Sequence, residues 1–464
     1  MVNTLDLLYT ARNHSVNSLH LISWIKQVMV GFKGIGWLPE PKKEGKILGI
    51  LAFETAKTMS RLISLYKSVS DEEISRLRND VIRSKGVAFL NSGDENFLLS
   101  LASAERLEDL DHAAAAVARL GKKCTDFGLE RFDLVYKELK SGVLSSGKMR
   151  YGSATAERKI RKMERLVAAT SGLHAAVESL AEMEVSERKM KQWKSKDNDL
   201  QKANYDNLVH KLEIQRREIR NFKEISLWNK SFDKCVDLMA RVVFVVHRRI
   251  CALFGPRKRF PIKEKVFPHS GPLLTASKPV MVRFYSRKSG IFGEEEDDPR
   301  TNRVFHSARP ETVGGSGLAL RYANVILTAE KYLDSDVAIS HVERESFYEM
   351  LPENLKFLVR AKLSKNMRCA GVEEGDALLA EGWRDGVAEI LRWLAPVADD
   401  TVRWQMERSF EKTRFDARPT ALLLQTLHFA DREKTEAAIA EILVGLSCVF
   451  RFENRRFVHC DEFY

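Results

Sequence analysis

Apolar residues recur at helical spacing along most of this chain, and that period constrains the fold more than any other feature. Leu48, Leu51, Ala52, Thr55, Met59, Leu62, Ile63 and Tyr66 fall on one face of a 3.6-residue helix. Ser70-Asp-Glu-Glu73 then reads as a capping box, with hydroxyl and carboxylate satisfying free backbone N–H groups. The helix it opens is expected to stop at Gly86. Ser92-Gly-Asp-Glu95 reads as a second capping box, opening a helix that ends at Gly121. A fourth helix is expected over 129–140, ending at Gly142. Four helices with short connections predict a compact bundle over 46–145.

The same period divides the rest of the chain. Residues 4–32 predict an amphipathic helix, and 1–45 end in the breakers Gly31, Gly34, Gly36, Pro39 and Pro41. Residues 146–254 read as a charged helical segment whose stripe, Leu200, Leu208, Leu212, Ile219, Phe222, Ile225 and Trp228, is too irregular for heptads. A helical hairpin is its expected use. Residues 255–313 carry seven prolines from Pro256 to Pro310 and the acidic run Glu294 to Asp298, a composition expected to form a flexible linker. Helical spacing returns over 314–464, with Pro352 at a helix start, a stop at Pro396, and at most a short strand in the tail from Phe450 to Val458. The expected class is all-α: two helical-bundle domains, a charged helical middle and a disordered linker rich in Pro and charge.

Hydrophobic residues make up 44% of the 464, enough to bury real cores. The most apolar stretch, Cys235 to Phe254, is interrupted by Asp237, Arg241, His247, Arg248 and Arg249, which suits a core helix and excludes a transmembrane segment. Six scattered cysteines, none at C-x-x-C spacing, read as reduced thiols of the nucleus or cytoplasm. The N-terminus places Asp6, Arg12 and His14 where a secretory signal is apolar, and Val2 stands where myristoylation needs glycine.

The formal charge is +11, which favours acidic partners. Arg248, Arg249, Arg257, Lys258, Arg259, Lys263 and Lys265 form the densest basic segment. It has three readings: a nuclear-import signal, a contact for anionic lipid or nucleic acid, or solubilising charge.

Other motifs fail on context. Gly314-Gly-Ser-Gly317 lacks the Lys-Ser/Thr of a phosphate loop and reads as a flexible entry to a helix. Asp126-Phe-Gly128 spells a kinase triplet without the glycine loop, strand lysine or H-R-D motif. Glu105, Glu108, Asp109, Asp111 and His112 share one expected helix and read as a solvated face rather than a metal site. There is no H-E-x-x-H, no zinc spacing and no G-x-S-x-G. No catalytic residue, metal ligand or cofactor is therefore expected.

Two stretches resemble a plant family. Ile50-Leu-Ala-Phe-Glu-Thr-Ala-Lys-Thr58 with Val81-Ile-Arg-Ser-Lys-Gly-Val87 resembles the N-terminal domain of the PSK SIMULATOR-like proteins. Gly315-Ser-Gly-Leu-Ala-Leu-Arg-Tyr-Ala-Asn-Val-Ile326 with Leu351-Pro-Glu-Asn-Leu-Lys356 resembles their C-terminal domain. Both are plant domains of unknown function. The resemblance implies growth promotion linked to peptide-hormone and brassinosteroid responses, a nuclear or membrane-peripheral location, and no catalytic residues. Some members begin Met-Gly, whereas this chain has Val2.

The expected function is a non-enzymatic regulatory or scaffold protein acting through protein–protein contacts. The alternative is a basic adaptor that binds nucleic acid or the inner face of the plasma membrane through residues 248–265.

Overall fold

The computed structural model describes residues 47–141, 153–193, 199–255, 303–335, 340–369, 376–410 and 421–461. The fold is all-α. Strand pairing among the described residues amounts to two isolated bridges, Ile47 with Ser231 and Thr312 with Asp431. The expected helix over 4–32 lies outside the described residues.

The N-terminal half contains α1 (Ala52–Ser68), α2 (Asp71–Arg76), α3 (Lys85–Leu90), α4 (Glu95–Gly121), α5 (Phe127–Glu130), α6 (Phe132–Ser141), α7 (Ser153–Trp193), α8 (Asp199–Ile225) and α9 (Phe232–Phe254). Met59, Leu62 and Ile63 of α1, Leu110 and Val117 of α4, Phe132 and Val135 of α6, Met163 of α7 and Val243 of α9 form one buried core. The charged segment 146–254 thus shares a core with the helices before it. The cause is the apolar face of α9, where Phe232, Val236, Met239, Val243, Val246 and Ile250 recur every three or four residues, all buried.

The C-terminal half contains α10 (Arg303–His306), α11 (Ala319–Leu333), α12 (His341–Met350), α13 (Glu353–Cys369), α14 (Asp376–Phe410) and α15 (Arg432–Asp461). Tyr322, Ile326, Leu355, Leu391, Leu394, Ile439 and Val444 build its core, and Leu90 of α3 joins them from the other half. A further core is mixed: Ile74, Leu77, Leu98 and Leu101 pack with Val304, Trp404, Leu422 and Leu424.

Several local expectations are corrected. Gly86 lies inside α3, where a Cβ would meet the Trp393 carbonyl oxygen at 2.6 Å and Val397 Cγ2 at 2.7 Å. It is a close-approach residue between α3 and α14, not a helix stop. The cap of α4 is Asp94, whose carboxylate accepts from the N–H groups of Asn96 and Phe97. Ser92 instead accepts from the Asp94 N–H. Pro396 is interior to α14. It is exposed, and buried Leu394, Ala395, Val397 and Ala398 around it carry the helix past the missing N–H. The tail is helical through Asp461, with no strand from Phe450 to Val458. The last part of the expected linker, 303–313, is packed, since Val304 and Val313 are buried. Residues 256–302 lie outside the described residues.

Candidate interaction surfaces and the seam between the halves

Helix α4 buries two faces. Leu110, Ala113, Ala114 and Val117 point into the first core, while Leu98, Leu101, Ala102 and Glu105 meet the C-terminal half. Glu105 is 3% exposed. Its carboxylate accepts from the Trp404 indole N–H at 3.2 Å and from the Leu423 backbone N–H at 2.8 Å. Glu108 accepts from the Val304 N–H at 3.0 Å. Arg106 donates to the carbonyls of Ala102 (3.4 Å) and Ser68 (3.1 Å) and lies 5.5 Å from the Phe254 ring centre. Burial lowers the Arg106 pKa to about 10, opposed by Glu105 and Asp109, so it stays cationic at neutral pH.

The remaining acids of this cluster turn elsewhere. Asp109 takes Arg61 at 3.3 Å, and Asp111 takes the Tyr136 hydroxyl at 2.8 Å and Lys140 at 2.6 Å. The carboxylates diverge to separate partners instead of sharing a solvated face. Among the described residues no group of three or more His, Cys, Asp or Glu side chains is placed to hold a metal ion.

The glycine motif is also packed. The Gly314 N–H donates to the His428 carbonyl at 3.0 Å, Gly315 to Thr312 Oγ1 at 3.1 Å, and Gly317 to the Gly314 carbonyl at 3.0 Å. These are the amides a phosphate would need. A Cβ on Gly314 would lie 2.2 Å from His428 Nδ1, and Gly317 has φ 73°, so both positions favour glycine. His428 stacks on Phe305 at 4.2 Å, and its Nε2 lies 2.8 Å from the Phe305 carbonyl oxygen. Phe305 in turn stacks on Trp404 at 5.5 Å. Asp126 of the kinase-like triplet caps α5 by accepting from Gly128 and Leu129.

Deeper in the C-terminal half, the Tyr322 hydroxyl donates to Glu436 at 2.8 Å and accepts from Asn354 at 2.6 Å. Burial is the first cause that raises its pKa. This network ties α11, α13 and α15 together.

The predicted basic segment is split by the fold. Arg249 faces inward, donating to the Val69 carbonyl and pairing with Asp71 at 2.9 Å. Arg248 is half-buried on α9. Arg257, Lys258, Arg259, Lys263 and Lys265 lie outside the described residues. The charged helical segment also carries basic residues on α7, where Arg158, Arg161, Lys162 and Arg165 are all exposed and their spacing of three and four residues puts them on one face.

Helices α7 and α8 form the expected hairpin. Leu173, Ala176 and Ile219 root it on Phe53 and Trp228. Beyond Ala176 no residue of α7 through Lys191 is buried, and none of α8 is from Ala203 to Lys211. The two helices are cross-tied by Arg216 to Glu184 at 3.2 Å and by Gln215 to the Ala176 carbonyl at 3.0 Å. Val177, Val185, Met190 and Ile214 stand exposed on this arm. Among the described residues no helix is long and apolar enough to cross a membrane.

Two domain families match this chain. Residues 50–106 match the one described as a domain of unknown function (DUF3475), and residues 312–403 match the one described as a protein of unknown function (DUF668). Protein PSK SIMULATOR 1 of Arabidopsis thaliana is 25% identical over 415 residues, 87% of this chain and 56% of the relative. Protein PSK SIMULATOR 3 of the same plant is 27% identical over 417 residues, 87% of this chain and 56% of the relative. Protein PSK SIMULATOR 2 is 22% identical over 428 residues, 89% of this chain and 61% of the relative. The chain thus spans under two thirds of the length of these curated relatives. No solved structure matches it. With both domains of unknown function in the order read from the sequence, the chain is similar to the PSK SIMULATOR proteins over most of its length.

Proposed function

We propose that this chain is a non-enzymatic scaffold of growth regulation, working through protein–protein contacts in the nucleus or cytoplasm. The observation that carries the reading is the α7–α8 arm. From Ala176 to Trp193 it extends about 25 Å at the helical rise. An arm held by its own cross-ties, bearing exposed Val177, Val185, Met190 and Ile214, offers apolar side chains to a partner's helix or loop. The similarity to the PSK SIMULATOR proteins supports the growth context. Buried Glu105 and the glycines of the 314–317 turn are engaged in packing, which supports a structural use of these residues.

Proximity labelling in plant cells tests the proposal. The full chain is compared with a variant carrying Val177→Ser, Val185→Ser, Met190→Ser and Ile214→Ser. The reading expects a reproducible set of partners that the variant loses while its helical content is unchanged. An identical partner set for both chains would overturn the role of the arm.

A further inference from the structure

The exposed basic line of α7 has no role in the proposed function. Arg158, Arg161, Lys162 and Arg165 stand at positions i, i+3, i+4 and i+7, so they share one face. That face lies opposite the one that buries Ala156, Ile160, Met163 and Val167, so the four charges crown the outer side of the helix. The nearby carboxylates are used elsewhere: Glu164 pairs with Lys67 at 2.7 Å, and Asp237 of α9 pairs with Arg241 at 2.8 Å. The field around the line is positive. Burial, then the charges of Arg241 and Lys162, lower the Lys159 pKa against the opposing pull of Asp237. A solvated face ordinarily mixes signs, as exposed Lys211, Glu213, Arg217, Glu218 and Arg220 do on α8. The line on α7 carries one sign only, and like charges at this spacing oppose the helix unless an anion neutralises them.

We infer that this line binds the phosphate backbone of a nucleic-acid duplex without reading its sequence. The charge densities match. Four cations over about 10 Å of helix give one per about 3.5 Å, and a duplex strand presents one phosphate per about 3.4 Å of its axis. Three of the four are arginines, whose planar fork fits two phosphate oxygens at once. The next positions on the same face, Ala154 and Ala169, are small and uncharged and let the duplex come close. Residues 154–169 hold no aromatic side chain on which unstacked bases could lie, which favours a duplex over a single strand. They hold no Asn or Gln to read an adenine edge either, which leaves the backbone as the contact. A membrane surface fits less well. The exposed large apolar residues of α7 begin at Val177, about 18 Å beyond Arg165 along the helix. The charges therefore lack the apolar anchor that stable membrane attachment adds to a basic patch.

The test uses the full chain and a short DNA duplex of mixed sequence, with binding followed by fluorescence anisotropy as salt is varied. Each phosphate contact adds about 0.9 to the slope of log affinity against log salt. Combining Arg158→Gln, Arg161→Gln, Lys162→Gln and Arg165→Gln is therefore expected to make the slope shallower by about 3.6. Residues 248–265 are intact in this variant, so any contribution of theirs is common to both chains. A control neutralises four exposed cations of the C-terminal half, with Lys331→Gln, Lys365→Gln, Arg392→Gln and Arg451→Gln, and should change the slope by less than about 1. No duplex binding by the full chain, an unchanged slope in the line variant, or the same loss in both variants overturns the inference. A second measurement needs no substitution. The duplex should shield Lys162 from acetylation by an amine-reactive ester while Lys331 keeps its reactivity. The shielding should vanish at about 1 M salt, where the screening length is about 3 Å. Equal labelling of Lys162 with and without duplex overturns the inference. So does tighter binding to phosphatidylserine vesicles than to the duplex when that binding is lost in the line variant, an outcome that would assign the line to a membrane surface.

Discussion

Replacing Glu105 with alanine tests the seam at its centre. The side chain is 3% exposed and accepts from two donors, the Trp404 indole at 3.2 Å and the Leu423 amide at 2.8 Å. Each hydrogen bond to an ionised group contributes about 1.5–3 kcal/mol. Its removal leaves both donors buried without this acceptor and deprives buried Arg106 of a favourable charge. Breaking one side of such a buried charged set costs about 3–5 kcal/mol, and Glu105→Ala is expected in that range. Glu105→Gln keeps the shape and one acceptor oxygen, so about 1–3 kcal/mol is expected. Exposed Glu72 serves as the control, since surface changes stay within about 0.5 kcal/mol. Equilibrium urea unfolding followed by circular dichroism and tryptophan fluorescence measures all three. A Glu105→Ala loss below about 1 kcal/mol, or one equal to Glu72→Ala, would refute the reasoning that this carboxylate holds the seam.

Gly86→Ala is expected to cost about 1–3 kcal/mol, because the new Cβ meets a backbone carbonyl that cannot rotate away. Gly93→Ala, with nothing within 4 Å, should leave the thermal midpoint nearly unchanged. Tyr322→Phe removes the donor to Glu436 and the acceptor of Asn354, a loss of about 1–3 kcal/mol in urea unfolding. Cys235 is buried, and burial pushes its thiol from 9.0 up to about 11. The unfolded chain ionises first, so stability from this group is present below pH 9 and lost as pH rises towards 11. Over that window the unaltered chain should lose about 2–3 kcal/mol relative to Cys235→Ala, and iodoacetamide at pH 8 should label Cys235 only after unfolding.

The helical class and several helix edges were legible because they rest on local rules. Ser70 as the N-cap of α2 (its Glu73 turns to Arg76 at 2.8 Å instead of closing the box), the end of α4 at Gly121 and the hairpin of α7 with α8 all follow from periodicity, capping and glycine placement. What stayed hidden depends on residues far apart in the chain. Glu105 sits among Glu108, Asp109 and Asp111, and nothing nearby distinguishes a buried acid from its solvated neighbours. Its partners lie about three hundred residues away. Gly86 carries the ordinary signal of a helix stop, and only the approach of Trp393 and Val397 gives it another use. Pro396 likewise obeys a local rule that the buried residues around it override. Residues 303–313 look like linker by composition, yet Phe305 is held by stacking on Trp404 and His428.

The seam bears on how the two matched domains work. Domain boundaries ordinarily fall where few contacts cross. Here Leu90, inside the 50–106 match, sits in the C-terminal core, and the Asp431 N–H donates to its carbonyl at 2.8 Å. Lys434 donates to the Phe89 carbonyl at 3.1 Å, and Lys85 reaches Glu389 at 3.4 Å. Glu105 and Trp404 meet at the edges of the two matched ranges. Residues 85–105 therefore hold the arm-bearing bundle against the C-terminal helices, and the halves move together while the seam is closed. The seam is also charged at its heart. Glu105 and Arg106 regain their hydration when it opens, an offset that apolar α1 and α4 lack where they meet around Leu62 and Leu110. Per unit of area, opening along the seam is thus cheaper than opening the first core. A partner that separates the halves would do so there, exposing Leu98, Leu101 and Trp404 while leaving the root of the arm intact.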